Sequence, residues 1–202
     1  ALLFMIVLVA IVARMGGLGE GFWIDEVISS DTAAMPMGEL LARAGLADVH
    51  PPGYYVGLKV WSWVFGASDL AARLFTLIVS VATVWLLMAY ASVRFGKLTS
   101  LVAGLTLALS PLHAHYGVEV RSYALLTGLA LAALWCQERV LERSWCGRRQ
   151  VAFVMALCAL TWVHNLGLIL SALLLVHALL SAPDGAISAV RSLAICVAAL
   201  FT

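Results

Sequence analysis

Acidic, basic and imidazole side chains, the groups that transfer protons and bind ions, gather in four short segments of this chain. The segments are Trp23-Ile24-Asp25-Glu26, His50-Pro51-Pro52, the stretch from His113 to Tyr123, and His164-Asn165. Long apolar runs separate most of them. A fold that brings the segments together would therefore build one polar site from distant parts of the chain.

Each segment also has a purely structural interpretation. Asp25 could cap a helix, and Glu26 could favour the positive end of that helix. Glu119 and Arg121 are two positions apart, so on a helix they would not face each other and each would need another partner. His164 could be a buried, hydrogen-bonded polar group. The case for a site rests on all four segments meeting on one side.

The sequence does not favour a metal site or a phosphate-binding loop. His113 and His115 are two positions apart, which is a poor spacing for two ligands of one zinc ion on a helix. The glycines between Gly16 and Gly21 follow no strand, so they are a weak match to a phosphate loop.

The composition of the chain predicts a membrane protein. Of its 202 residues, 63% are hydrophobic and 11% are charged, whereas soluble domains have about 45–50% apolar and about 25% charged residues. This excludes an ordinary soluble enzyme, a disordered chain and a disulfide-rich secreted module. The net charge of +1 argues against a nucleic-acid partner. We therefore predict an all-α, polytopic transmembrane helical bundle.

Uncharged runs locate the membrane spans, since a helix needs about 20 apolar residues to cross a bilayer. They predict a first span within residues 1–12 and further spans over 74–93, 98–118 and 122–137. The run 150–183 is too long for one crossing, and its polar break at residues 164–167 predicts a tight helical hairpin. A last span begins near Ser192. Because Ala1 is not a start methionine and Thr202 ends an apolar run, residues 1–202 are interpreted as the N-terminal part of a longer domain.

The basic residues predict the orientation of these spans. Short cytoplasmic loops carry an excess of lysine and arginine. Alternating spans place one group of basic residues in the cytoplasm: Arg94, Lys97, Arg139, Arg143, Arg148, Arg149 and Arg191. Eight of the eleven carboxylates and all four polar segments then lie on the opposite, extracytoplasmic side of a cell membrane.

The long loop of residues 14–73 is expected to contain interfacial helices. Residues 53–66 are aromatic-rich but carry Lys59 and are too short to span a bilayer. Residues 27–46 alternate apolar and polar side chains at roughly helical spacing around Met35-Pro36. Both segments are predicted to lie on the outer surface of the lipid bilayer.

The order of these motifs resembles that of the GT-C membrane glycosyltransferases, in particular the protein mannosyltransferase and aminoarabinose transferase superfamily (glycosyltransferase family 39-like). The resemblance extends from about Arg14 to His177. It rests on Trp23-x-Asp25-Glu26, His50-Pro51-Pro52-Gly53-Tyr54-Tyr55, Arg73 at the start of a span, and Glu119-Val120-Arg121-Ser122-Tyr123. Two motifs depart from the usual pattern: Val118-Glu119-Val120-Arg121 replaces Gln-Glu-Ala-Arg, and Gly53 replaces a common leucine.

The resemblance implies transfer of a sugar from a polyprenyl-phosphate donor to a glycan, lipid or protein acceptor outside the cytoplasm. Asp25 would be the general base, and Glu26 would orient the acceptor or assist Asp25. Arg121 would bind the departing phosphate, so neither a metal nor a cofactor is demanded. The supporting residues would be His50, Glu119, Tyr123 and His164.

Two other functions remain open at this point. A transporter or flippase would use Glu119, Arg121 and His164 as a polar pathway, although these residues lie at span ends and no internal repeat is visible. A non-catalytic scaffold could keep the same fold. Intact Asp25 and Arg121 argue against the scaffold.

Overall fold

The computed structural model describes residues 2–43, 50–142 and 147–181, and this part of the chain is helical and contains no strand. A short 3-10 helix, Gly16–Gly19, follows the first α-helix. The α-helices are α1 Leu2–Met15, α2 Ile24–Ala34, α3 Met37–Arg43, α4 Gly53–Phe65, α5 Asp69–Phe95, α6 Lys97–Leu109, α7 Pro111–His115, α8 Tyr123–Glu142, α9 Gly147–Val163 and α10 Asn165–Ser181.

Three helical segments of the described residues are long and apolar enough to cross a membrane: Leu2–Gly19, Asp69–Phe95 and Tyr123–Glu142. Large apolar side chains such as Phe4, Trp85 and Val102 point outward and are more than half exposed. Such a surface is stable when its surroundings are apolar. The prediction of a helical membrane bundle is confirmed.

The predicted span 98–118 is wrong in its length. The helix that begins at Lys97 ends at Leu109, and α7 starts separately at Pro111. Proline disfavours the helical conformation in the residue before it, and Ser110 is accordingly extended, with φ −60° and ψ 118°. The Ser110 hydroxyl then accepts a hydrogen bond from the backbone N–H of His113 at 3.4 Å and caps α7.

The predicted hairpin over residues 150–183 is confirmed as far as the structure describes it. Helix α9 ends at Val163, α10 begins at Asn165, and His164 forms the break between them. A side chain at Gly167 would overlap the carbonyl oxygen of Leu160. Glycine therefore permits the close approach of the two helices. The predicted last span from Ser192, together with Arg143 and Arg191, lies outside the described residues.

The loop of residues 14–73 contains the predicted helices, now resolved as α2, α3 and α4. The segment 27–46 is broken at Met35-Pro36, and Lys59 closes the end of α2 by donating to the carbonyl oxygens of Ala33 (3.2 Å) and Met35 (2.6 Å). Residues 44–46 lie outside the described part of the chain. The position of these helices at the membrane surface stays a prediction.

An apolar cluster fixes α2 and α4 against the spans. It consists of Ala33, Leu40, Tyr54, Tyr55, Leu58, Ala72, Val120 and Val163, all less than 9% exposed. Because its members come from α2, α3, α4, α5, α9 and the segment before α8, the cluster ties the loop helices to three parts of the bundle. Two of its members, Val120 and Val163, directly precede Arg121 and His164 in the sequence.

Candidate functional site

The first turn of α2 sends its two acidic side chains towards different partners. Successive residues of a helix are separated by about 100° of rotation, so Asp25 and Glu26 cannot face the same neighbour. The Asp25 side chain is 40% exposed and lies beside Arg121, whereas the Glu26 side chain is 2% exposed and lies against Arg73. The acidic pair therefore joins an open cluster and a buried one.

The open cluster combines an acid, a guanidinium and an imidazole from three regions of the chain. Asp25 Oδ2 lies 3.7 Å from Arg121 Nη2, and the same Nη2 lies 3.3 Å from His50 Nε2. Burial lowers the pKa of Arg121, but a side-chain hydrogen bond with Tyr123 and the charge of Asp25 raise it more, so the pKa ends above its ordinary value. Arg121 is therefore a fixed positive charge at the edge of the site.

His164 packs behind this cluster, on the turn between α9 and α10. Its ring centroid lies 4.5 Å from that of His50 and 5.4 Å from that of Tyr123. Its Nδ1 accepts a hydrogen bond from the backbone N–H of Leu166 at 3.0 Å. Burial, together with His50 and Arg121, lowers the pKa of His164 to about 4. The ring is therefore neutral at pH 7 and carries its proton on Nε2.

Gly53 explains how His50 and His164 come together. A Cβ atom at Gly53 would lie 2.5 Å from the carbonyl oxygen of Trp162, which is closer than side chains tolerate. The start of α4 therefore packs directly against the end of α9, three residues after His50 and two residues before His164. Glycine at position 53 therefore has a structural reason in this chain.

The low pKa of His164 predicts acid sensitivity of the fold. The unfolded chain binds a proton at His164 near pH 6.5, whereas the folded protein binds it only near pH 4, so stability falls as the pH drops through this window. His164→Asn keeps an acceptor for the Leu166 amide and should flatten the fall of the unfolding midpoint between pH 6.5 and 4.

His177→Asn is the matched control, because His177 is an exposed histidine on α10. Its acid dependence should match that of the unmodified protein. His113 keeps part of the dependence in every variant, because burial and Arg14 lower its pKa to about 4 as well. An unchanged pH slope in His164→Asn would contradict the assignment.

The buried cluster is centred on an ion pair between Glu26 and Arg73. Arg73 Nη2 lies 2.8 Å from Glu26 Oε2, and Arg73 also donates to the carbonyl oxygens of Gly17 (2.9 Å) and Gly21 (3.2 Å). Glu26 accepts from the backbone N–H groups of Val120 (2.9 Å) and Trp23 (3.3 Å). One salt bridge thereby joins α2, α5, the glycine-rich turn and the segment before α8.

Glu119 belongs to the buried side rather than to the Arg121 cluster. Its Oε1 accepts a hydrogen bond from the indole N–H of Trp23 at 3.1 Å, and its Oε2 lies 3.7 Å from His115 Nε2. Burial raises the pKa of Glu119. Its Oε2 is buried and has no hydrogen-bond partner within the described residues, so part of its hydrogen-bonding capacity is unused in this part of the fold.

A cleft of about 510 Å³ opens beside Glu119. Its polar and aromatic walls are formed by Arg14, Glu20, Trp23, Glu26, Arg73, His115 and Glu119. Asp25 and Arg121 are not part of this lining, whereas Glu26, the residue after Asp25, is part of it. The cleft and the open cluster are thus two adjacent polar spaces.

From the sequence alone, no role was predicted for Arg14, and Arg73 was noted only as part of a motif. Arg14 is 1% exposed and donates to Ser80 Oγ (2.8 Å), to the carbonyl oxygens of Ala10 (2.7 Å) and Ala108 (3.2 Å), and to His113 Nδ1 (2.6 Å). In both cases, the sequence feature that could have indicated a buried polar contact was an arginine next to an apolar run. Arginine in such a position is costly unless it is paired, so it indicates a buried polar contact.

Comparison with known proteins identifies the family. Residues 49–202 match the family model described as dolichyl-phosphate-mannose-protein mannosyltransferase. No curated protein and no solved structure matches the chain. The matched range covers well over half of the chain and includes His50, Arg73, Glu119 and Arg121. The chain therefore belongs to the dolichyl-phosphate-mannose-protein mannosyltransferase family, whose members are membrane glycosyltransferases of the mannosyltransferase type.

Proposed function

We propose that this chain transfers a sugar from a polyprenyl-phosphate donor to an acceptor hydroxyl on the extracytoplasmic side of the membrane. The observation that carries the proposal is the distance of 3.7 Å between Asp25 Oδ2 and Arg121 Nη2. A carboxylate that can take a proton lies next to a cation that can hold a phosphate. The separation is longer than a hydrogen bond, so substrate oxygens can enter without breaking a strong contact.

The proposed reaction is a displacement at the anomeric carbon of the sugar. Asp25 takes the proton of the acceptor hydroxyl, and the acceptor oxygen forms a bond to that carbon. The bond between the carbon and the phosphate oxygen breaks, and its electron pair leaves with the phosphate. The prenyl phosphate gains one negative charge in this step, which Arg121 offsets.

The remaining residues of the site act by positioning. His50 and Tyr123 contact Arg121, and His164 packs against both rings. Glu26 holds the first turn of α2 through Arg73, and this contact directs Asp25 towards Arg121. The groups that contact the reacting atoms are thus Asp25 and Arg121.

The distribution of charge supports the proposed sidedness. Arg94, Lys97, Arg139, Arg148 and Arg149 lie at helix ends opposite to those that carry Asp25 and Arg121. An excess of basic residues marks the cytoplasmic end of membrane helices. A lipid-carried donor also fits a site at the ends of spans, because its phosphate lies at the depth of the headgroups.

Turnover by the complete protein tests the function. The protein is incubated in membranes with a panel of prenyl-phosphate sugars, and the labelled product is identified by mass spectrometry. We expect transfer of at least one sugar with release of prenyl phosphate. Transfer from a nucleotide sugar in the absence of any prenyl-phosphate sugar would contradict the proposal.

Replacing Arg121 should weaken use of the donor. Arg121→Ala removes the charge that offsets the leaving phosphate, and we expect kcat/KM for the donor to fall by about 10²–10³-fold, as for loss of one oxyanion donor. Arg121→Lys keeps the positive charge but loses the planar guanidinium group. Its kcat/KM for the donor should lie between those of the unmodified protein and Arg121→Ala. Arg148→Ala, an exposed arginine at the opposite end, is the control. Unchanged donor kinetics in Arg121→Ala would contradict the phosphate role.

Replacing Glu119 should affect the acceptor instead. Glu119 lines the cleft, and its buried Oε2 has no hydrogen-bond partner within the described residues. We propose that this carboxylate accepts a hydrogen bond from the acceptor. Glu119→Gln should raise the acceptor KM several-fold and leave the donor KM unchanged. Glu39→Gln, an exposed position on α3, serves as control. An equal change in both KM values would assign Glu119 to general stability.

A further inference from the structure

A second polar hollow lies at the end of the bundle opposite to Asp25. It has a volume of about 330 Å³ and is lined by Val93, Arg139, Glu142 and Arg149. These residues come from the last turns of α5 and α8 and the first turn of α9. The hollow therefore sits where the spans of the bundle emerge from the bilayer.

The carboxylates at this end are both engaged by Arg94. Arg94 Nε lies 3.1 Å from Glu138 Oε2, and Arg94 also pairs with Glu142. Tyr90 adds a hydrogen bond from its hydroxyl to Glu138 at 2.7 Å. The single guanidinium group of Arg94 thus pairs with both Glu138 and Glu142.

This arrangement leaves Arg139 and Arg149 without a carboxylate partner in the described ranges. The segment 143–146, which lies outside those ranges, contains no acidic residue. Arg139 is held over the ring of Trp135, with its guanidinium carbon 4.6 Å from the ring centroid. A cation held in place on an indole loses less side-chain freedom when it binds an anion. Two guanidinium groups consequently line one hollow with a net positive charge.

Val93 adds an apolar wall to this cationic hollow, and its side chain is 70% exposed. A positive site with an apolar wall at the end of a span suits a lipid. The lipid phosphate would lie at the arginines, and its hydrocarbon chains would extend along the apolar wall into the bilayer. Guanidinium groups bind phosphate oxygens through paired hydrogen bonds. The volume is also in the range of small-ligand sites, which begins at about 300 Å³.

We propose that Arg139 and Arg149 bind the phosphate of an anionic phospholipid headgroup in this hollow. The proposal does not depend on the sugar-transfer reaction, since the hollow lies at the far end of α5 and α8 from Arg121. The shared chemistry of a lipid headgroup and a free phosphate ion is a phosphate oxyanion, and the bilayer supplies the lipid at this depth.

Lipid retention tests the proposal. The complete protein is placed in nanodiscs of phosphatidylcholine with or without phosphatidylglycerol, and retained lipid is measured by native mass spectrometry alongside the unfolding midpoint. We expect phosphatidylglycerol to be retained and to raise the midpoint. In Arg139→Gln/Arg149→Gln, retention should fall at least tenfold and the midpoint should no longer respond to this lipid.

Arg148→Gln is the matched control, because Arg148 is exposed beside Arg149 but does not line the hollow. It should behave as the unmodified protein. Arg149→Gln alone provides a milder variant should the double variant fold poorly, and it should show intermediate retention. Equal retention in all variants would overturn the proposal. The same midpoint rise with inorganic phosphate in phosphatidylcholine nanodiscs would also overturn it, in favour of a free anion.

Discussion

Replacing Asp25 by asparagine should reduce kcat for sugar transfer by about 10²–10⁴-fold, as for removal of a general base. Asparagine has nearly the same size and keeps an oxygen towards Arg121, which lies 3.7 Å away. It cannot take the proton of the acceptor hydroxyl. The measurement is the initial rate of transfer from a labelled prenyl-phosphate sugar by the complete protein in membranes.

The geometry of the site predicts that Asp25→Asn slows the chemical step and leaves binding of the donor nearly unchanged. Arg121 and its contacts with His50 and Tyr123 remain in Asp25→Asn, so the donor KM should stay within a few-fold of its original value. Asp31→Asn is the control, because Asp31 is an exposed aspartate on the same helix. Its transfer rate should be unchanged. Normal turnover in Asp25→Asn would exclude Asp25 as the base.

The helices of the bundle were predictable because a membrane imposes a simple requirement on the sequence. A span needs an uncharged run of sufficient length, and the runs 74–93 and 122–137 correspond to α5 and α8. The polar residues at 164–167 likewise marked the turn of the α9–α10 hairpin. The run 98–118 met the same requirement, yet Ser110-Pro111 divides it, because local backbone sterics outweigh length at that position.

The polar contacts were less predictable because they depend on distant parts of the chain. Glu26 and Arg73 are 47 positions apart, and Arg121 and His50 are 71 positions apart. No local pattern states which carboxylate a guanidinium will meet. The family resemblance brought Asp25 and Arg121 together as a hypothesis, whereas the division of Asp25 and Glu26 between two partners follows from helical geometry and required a structure.

Glu119 is an example of a residue whose partners could not be predicted from the sequence. The sequence indicated only that Glu119 needs a partner other than Arg121. Its contacts with Trp23 and His115 favour the acceptor side, because its side chain has no hydrogen bond or ion pair with Arg121 among the described residues. Residues 119–121 are not helical, so the helical-spacing argument does not apply to them, and the choice of Trp23 as a partner depended on how α2 packs.

Removing one partner of the Glu26–Arg73 pair should destabilise the fold by about 3–5 kcal/mol, the usual cost of leaving a buried charge unpaired. Glu26→Gln leaves Arg73 charged while it is 3% exposed, and Arg73→Gln deprives the carbonyl oxygens of Gly17 and Gly21 of a charged donor. Unfolding of each purified variant in detergent, compared with the unmodified protein, measures the effect.

The cost should arise from the unpaired charge rather than from the loss of an attraction. The double variant Glu26→Gln/Arg73→Gln removes both charges, so it should be less destabilised than the sum of the single variants. Arg94→Gln breaks two ion pairs, with Glu138 and Glu142, but its side chain is 39% exposed, so each pair should contribute at most about 1 kcal/mol. Additive effects in the double variant would show that Glu26 and Arg73 do not stabilise each other. The first turn of α2, and with it the direction of Asp25, would then depend mainly on the packing of α2 against α4.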